Sequence, residues 1–269
     1  MSKLYSNYRF LILRRIVQIS FLVLFAGANY WGWNVLMGNY SSALVLGQFY
    51  LTDPHAVLQT LAAGFLVATD ALIGAAIIFL FYALVGGRGF CSWVCPMNMV
   101  TDLALWTRKK FFKKQKAVLQ NVGRNTRYWI LGLGLVLSFI TGAAAFEAVS
   151  PIGMLHRGII FGFGMGWAIV SIVFLFDLFV LKNGWCGHIC PLGAFYSASC
   201  RYSLIKVKHD AEKCNHGMKC KTVCPEKQVL HNIGKKSGFI LSGECTNCGR
   251  CIEVCEEDAL KFSLNNYKK

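Results

Sequence analysis

The sequence predicts an all-α polytopic membrane domain, residues 1–206, followed by a small α+β cytoplasmic domain, residues 207–269. Three observations predict it. Of 269 residues, 55% are hydrophobic and only 15% charged, with a mean hydropathy of +0.46, the composition of a membrane protein with a modest soluble appendage. Four apolar runs, near Ile16–Met37, Ala62–Val85, Tyr128–Val149 and Ile159–Leu181, reach the roughly 20 residues needed to cross a ~30 Å hydrocarbon layer. Seven of the twelve cysteines fall after residue 207, in a more polar stretch.

The first run continues past Ala26-Gly27-Ala28, which loosely imitates a signal cleavage site, into Tyr30-Trp31-Gly32-Trp33. An aromatic belt of that kind suits the outer end of a retained helix. The net charge of +15 does not point to nucleic acid, because it is sorted along the chain. Of 28 Lys and Arg, 4 lie in residues 1–15, 9 in 86–127 and 14 in 182–269, while 38–61 has none and 150–158 only Arg157. Four spans of that pattern place both termini in the cytoplasm by the positive-inside rule, with Arg108–Lys116 along anionic headgroups. The expected location is a bacterial inner membrane.

The membrane part reads as two parallel two-helix repeats. Each ends in a cysteine-proline box, Cys91-Ser-Trp-Val-Cys95-Pro96 and Cys186-Gly-His-Ile-Cys190-Pro191. If the repeats meet, Cys91, Cys95, Cys186 and Cys190 make a four-thiolate set for one cluster or an electron relay. Two redox dithiols, or plain buried cysteines, are the alternatives. Cys200 stands alone, as an ordinary thiol.

The tail has Cys245-x2-Cys248-x2-Cys251-x3-Cys255. In bacterial two-cluster ferredoxins the fourth cysteine of each run ligates the other cluster. Cys245, Cys248 and Cys251 with Cys224 are then expected to hold one [4Fe–4S] cluster; zinc is the rival occupant. The first run, Cys214-x5-Cys220-x3-Cys224-Pro225, has Gly217 where a second cysteine belongs. That leaves Cys214, Cys220 and Cys255 for a [3Fe–4S] cluster, a labile [4Fe–4S] cluster or an empty site, with His216 beside the gap. About sixty residues bury too little apolar surface to fold alone, so metal ligation must supply much of the tail's stability.

Ionisable groups at or near membrane depth are few. Asp53, Asp70, Glu147 and His156 are the candidates for a proton route; interfacial solvation and helix capping are the plainer roles. Asp177 is expected to snorkel or to pair with Lys182.

Leu13-Arg14-Arg15, Gly38-Asn39-Tyr40-Ser41-Ser42, Leu51-Thr52-Asp53-Pro54, the two boxes and a ferredoxin-like tail together resemble the NapH family, over essentially the whole chain. The resemblance implies a membrane subunit that oxidises menaquinol or ubiquinol. It implies electron delivery to a periplasmic iron–sulfur partner of NapG type, and through it to periplasmic nitrate reductase and its cytochrome. The family's first cysteine run is complete, so Gly217 is a departure. Two rivals remain: a redox accessory protein for metal-enzyme maturation, for which residues 38–61 offer only His55 as a copper ligand, and a non-catalytic anchor for a periplasmic partner.

Overall fold

The computed structural model describes residues 2–112, 122–162, 164, 166–199 and 203–265. Cys200 and Lys113, Lys114 and Lys116 lie outside the described residues. Helix α1 spans Ser2–Trp31, and its segment Tyr8–Trp31 is the one described helix both long and apolar enough to cross a membrane. The expectation of an all-α, four-span domain is therefore corrected. The other apolar runs break into helices of 10–17 residues. The breaks fall at glycines in the left-handed region, where a helix cannot continue. Gly64 (φ 84°) precedes α3 (Thr69–Val85), Gly142 (φ 61°) ends α5 (Thr126–Thr141), and Gly162 (φ 94°) separates α7 (Pro151–Phe161) from α8 (Gly166–Leu175). Composition over a window registers these runs as continuous; backbone geometry does not.

The second departure from an all-α domain is a three-stranded antiparallel sheet, β1 (Leu36–Gly38), β2 (Ser42–Val45) and β3 (Phe49–Thr52), in the order β1-β2-β3. Leu36 pairs with Val45 and Ser42 with Thr52. These strands belong to a compact unit of residues 19–80 and 95–195. Also in it are α2 (Pro54–Ala62), α4 (Met97–Phe111), the short α6 (Ala145–Val149), and π-helical turns at Phe176–Val180 and Trp185–Ile189. Its sheet end is closed by Phe25, Leu36, Ala43 and Ile160, all buried, with Tyr40 packed against them. A side chain at Gly74 in α3 would overlap the Tyr50 backbone, so β3 lies directly on that helix.

The other unit collects three separate stretches, residues 1–18, 81–94 and 196–269. Its sheet is β5 (Gly238–Phe239), β4 (Ile205–His209) and β6 (Leu260–Leu264), antiparallel in the order β5-β4-β6. Ile205 faces Leu264 and Lys208 faces Phe239. After α9 (Pro191–Ser199), two short helices, α10 (Lys219–Val223) and α11 (Arg250–Glu253), each follow the start of a cysteine run. The core is small: Val207, Val229, Leu230, Ile233, Ile240, Ile252 and Leu260, with Cys220 and Cys251 among them. Phe10 of α1 completes it, edge-on to Phe262 at 5.4 Å. The tail draws part of its core from a residue about two hundred positions away.

Candidate iron–sulfur site

Four of the tail cysteines, Cys224, Cys245, Cys248 and Cys251, line one cavity, with Val207 and Val229 as its apolar wall and Glu226 at its side. The loop that carries three of them depends on Asn247 and Gly249, both at positive φ (49° and 75°). At Gly249 a Cβ would overlap the Phe10 ring, so this glycine is required by space as well as by angle. Glu253 of α11 holds the same helix, its Oε1 accepting the Phe10 and Leu11 backbone N–H groups at 2.6 and 3.0 Å.

The segment carrying the first box docks on this loop within the same unit. Ser92 Oγ donates to the Thr246 carbonyl at 2.6 Å, and Trp93 Nε1 to that of Asn247 at 3.0 Å. Asn247 Nδ2 in return donates to the carbonyls of Gly86 and Ile205. Gln18 Nε2 donates to the Ser92 carbonyl at 3.1 Å, tying in α1. Arg88 is 1% exposed and donates to Glu226 Oε1 at 2.9 Å and to the Glu244 carbonyl at 3.1 Å.

Burial pushes the Cys245 thiol up to about 11, against the pull of the Asn247 N–H and of the cations Arg88 and Lys206. Burial, and then the neighbouring thiols, raise Cys251 well above the ordinary range. A polynuclear cluster of positive iron, which takes its thiolates from all round, fits such a crowd of mutually repelling sulfurs. Among the described residues, no group of three His, Cys, Asp or Glu side chains is disposed to hold a single metal ion.

A second cavity is lined by Cys214, Cys220 and Cys255, with Asn215, Gly217 and Met218 at the gap. It therefore offers three thiols. The backbone N–H of Gly217 is bonded to Asn215 Oδ1 at 3.0 Å. His216, at φ 58°, sets its ring against Gly234 and is not among the residues lining the cavity. Lys219 and Glu256 pair at 2.6 Å at the rim, both well exposed.

Of the box cysteines, Cys91 belongs to the tail's unit, and Cys95, Cys186 and Cys190 to the other. Cys95 and Cys190 are buried; Cys91 and Cys186 are half-buried. Cys186 Sγ lies 3.8 Å from Thr101 Oγ1 on α4, the helix that starts just after Pro96. Asp177, expected to snorkel or pair with Lys182, instead is fully buried and accepts the Trp185 N–H at 2.9 Å, which fixes the start of the second box.

The four proton-handling candidates separate. Asp53 caps α2, accepting the His55 N–H at 3.3 Å, with Pro54 at the first helical position. Asp70 is exposed in the first turn of α3, a favourable place for a negative charge. Glu147 is half-buried and accepts from Ser41 Oγ. His156 is 1% exposed between the rings of Phe25 and Tyr40, at 4.8 and 5.1 Å. Sequence reasoning missed Tyr40, Arg88, Asn247 and Phe10 as parts of a site; an arginine set among glycines at 86–89 was the one available signal.

The 4Fe-4S binding domain family matches residues 67–115 and again 163–201, one match over each box, and the 4Fe-4S dicluster domain family matches residues 206–256. The ferredoxin-type protein NapH of Haemophilus influenzae is 47% identical over 96% of this chain and 91% of its own length. NapH of Escherichia coli is 44% identical over 96% and 91%. The methylamine utilization ferredoxin-type protein MauN of Paracoccus denitrificans is 44% identical over 89% and 85%. No solved structure matches. With its two matched iron–sulfur domain types and near-full-length similarity, this chain belongs to the NapH family of ferredoxin-type, iron–sulfur electron-transfer proteins.

Proposed function

We propose that this protein is a membrane-associated electron-transfer subunit that oxidises menaquinol or ubiquinol. It would pass the electrons to a periplasmic iron–sulfur partner of NapG type, for nitrate reduction. The observation that carries the electron-transfer part is the cavity shared by Cys224, Cys245, Cys248 and Cys251. These four would hold a [4Fe–4S] cluster. Cys214, Cys220 and Cys255 would hold a [3Fe–4S] or labile [4Fe–4S] cluster, and Cys91, Cys95, Cys186 and Cys190 are candidates for a further one. When bound, such clusters accept and release electrons singly, which is what a two-electron quinol needs on its way to a one-electron carrier.

The protein's own contribution is charge and position. Arg88 and Lys206 offset negative charge at Cys245, and the hydrogen bonds of Ser92, Trp93 and Asn247 hold the first box on the cluster loop. The N-terminal end of α1 packs in the same unit as the tail, which favours both ends lying on one face of the membrane. The charge pattern favours the cytoplasmic face.

The similarity to MauN favours a second reading, in which the same electron-transfer chemistry serves methylamine utilization. The test of the shared chemistry is direct. Anaerobically purified protein, without partners, is mixed with a reduced menaquinone analogue. Bleaching of the iron–sulfur absorbance is expected. Clusters that dithionite reduces but the quinol does not would overturn quinol oxidation by this chain and favour the anchor.

A further inference from the structure

We propose that Tyr40 and His156 form the polar end of a pocket for a quinone head group. The inference rests on the quinol reading above and gives it a place in the fold. His156 is 1% exposed, and neither of its ring nitrogens has a hydrogen-bond partner among the described residues. The Tyr40 hydroxyl is likewise buried without a partner. The two rings are 5.1 Å apart and nearly perpendicular, with Phe25 against both.

Native proteins rarely leave adjacent buried polar atoms unpaired without a functional reason. The wall beside these atoms is apolar: Phe25, Leu36, Ala43 and Ile160. An aromatic ring with one oxygen at its edge suits the arrangement. The Tyr40 hydroxyl donates to a quinone oxygen, or His156 accepts from a quinol hydroxyl, while the apolar wall takes the ring.

One neighbour brings a carboxylate to this end of the fold. Ser41, next to Tyr40 in the chain, donates to the Glu147 carboxylate.

The test uses the oxidised full-length protein in detergent and menadione, which has the quinone ring without a lipid tail. Tyr40→Phe and His156→Phe keep the ring contacts and remove the polar atoms. Each is expected to weaken menadione binding at least tenfold by calorimetry. Each should leave the unliganded melting temperature unchanged or raised, because an unpaired buried group has been removed. Undiminished binding in both variants, with binding intact in the parent, overturns the site and leaves the quinol reading standing. A lowered unliganded melting temperature with unchanged binding identifies a structural role and overturns it too. No binding by the parent protein removes the quinol reading itself.

Discussion

Replacing Arg88 by Met should test whether the first box and the cluster loop are held together by charge. The Arg88 and Glu226 side chains are 1% and 4% exposed and meet at 2.9 Å. Were the pair at the surface, its loss would cost about 0.2–1 kcal/mol. Buried, the change leaves the Glu226 carboxylate with the neutral Gln228 amide at 2.9 Å but without the Arg88 cation, and removal of one partner from a buried pair costs up to about 3–5 kcal/mol. Arg88 also donates to the Glu244 carbonyl, the residue before Cys245, so the loop loses an anchor. The assay is a double-mutant cycle of Arg88→Met, Glu226→Gln and the double variant, following release of iron–sulfur absorbance with denaturant. The double variant should lose less than Arg88→Met alone, because no buried carboxylate then remains without its countercharge. The same arginine acts on Cys245, so the midpoint potential of the cluster there should fall in the single variant; a tenfold shift corresponds to about 59 mV. A cost under about 1 kcal/mol, or strictly additive effects, would refute the reasoning.

Gly217→Cys should convert the three-thiol cavity into a four-thiol one, since a Cβ there meets only the movable Asn215 side chain. Reconstituted protein should then gain iron and lose any three-iron paramagnetic signal; unchanged iron content would count against a cluster at that cavity. Gly249→Ala should destabilise the tail by about 1–2 kcal/mol from the left-handed backbone alone, and more from the overlap with Phe10, read as a lower temperature of cluster loss. Without iron, the Cys245 thiol has a raised folded pKa, so its contribution to apoprotein stability is full below pH about 9 and is lost as pH rises toward about 11. Thermal scans of apoprotein against a Cys245→Ala variant should diverge less as pH climbs through that window; a constant difference would contradict the burial argument. Lys219→Ala, by contrast, breaks an exposed pair and should leave stability near the parent value in the same scans.

Family and iron–sulfur chemistry were legible because cysteine spacing is local: ligands for a cluster must come from a tight loop, and Cys245-x2-Cys248-x2-Cys251 states that in seven residues. The architecture was not legible, because an apolar run is counted by composition while a helix is ended by one backbone angle. Gly64, Gly142 and Gly162 look like tolerable interruptions in sequence and are breaks in the structure. The surroundings of the candidate site were hidden for a different reason. Arg88, alone among glycines at 86–89, has the same one-letter appearance whether it faces lipid headgroups or a buried glutamate. Phe10 in a long apolar helix carries no mark that it belongs to the core of a tail beginning near residue 207. Such partners are set by long-range pairing, which leaves no periodicity to read.

The cluster-bearing end is thus not a self-contained module. A graft of residues 207–269 from one relative onto the membrane part of another would leave behind the Phe10 wedge at Gly249, the Arg88 counter-charge, and the Ser92 and Trp93 bonds to Thr246 and Asn247. Changes in the iron-binding loop and in two stretches read much earlier in the gene are tied to one another. Ribosomal synthesis delivers residues 1–18 and 81–94 long before their partners exist, so assembly of this unit has to wait for the last fifth of the chain.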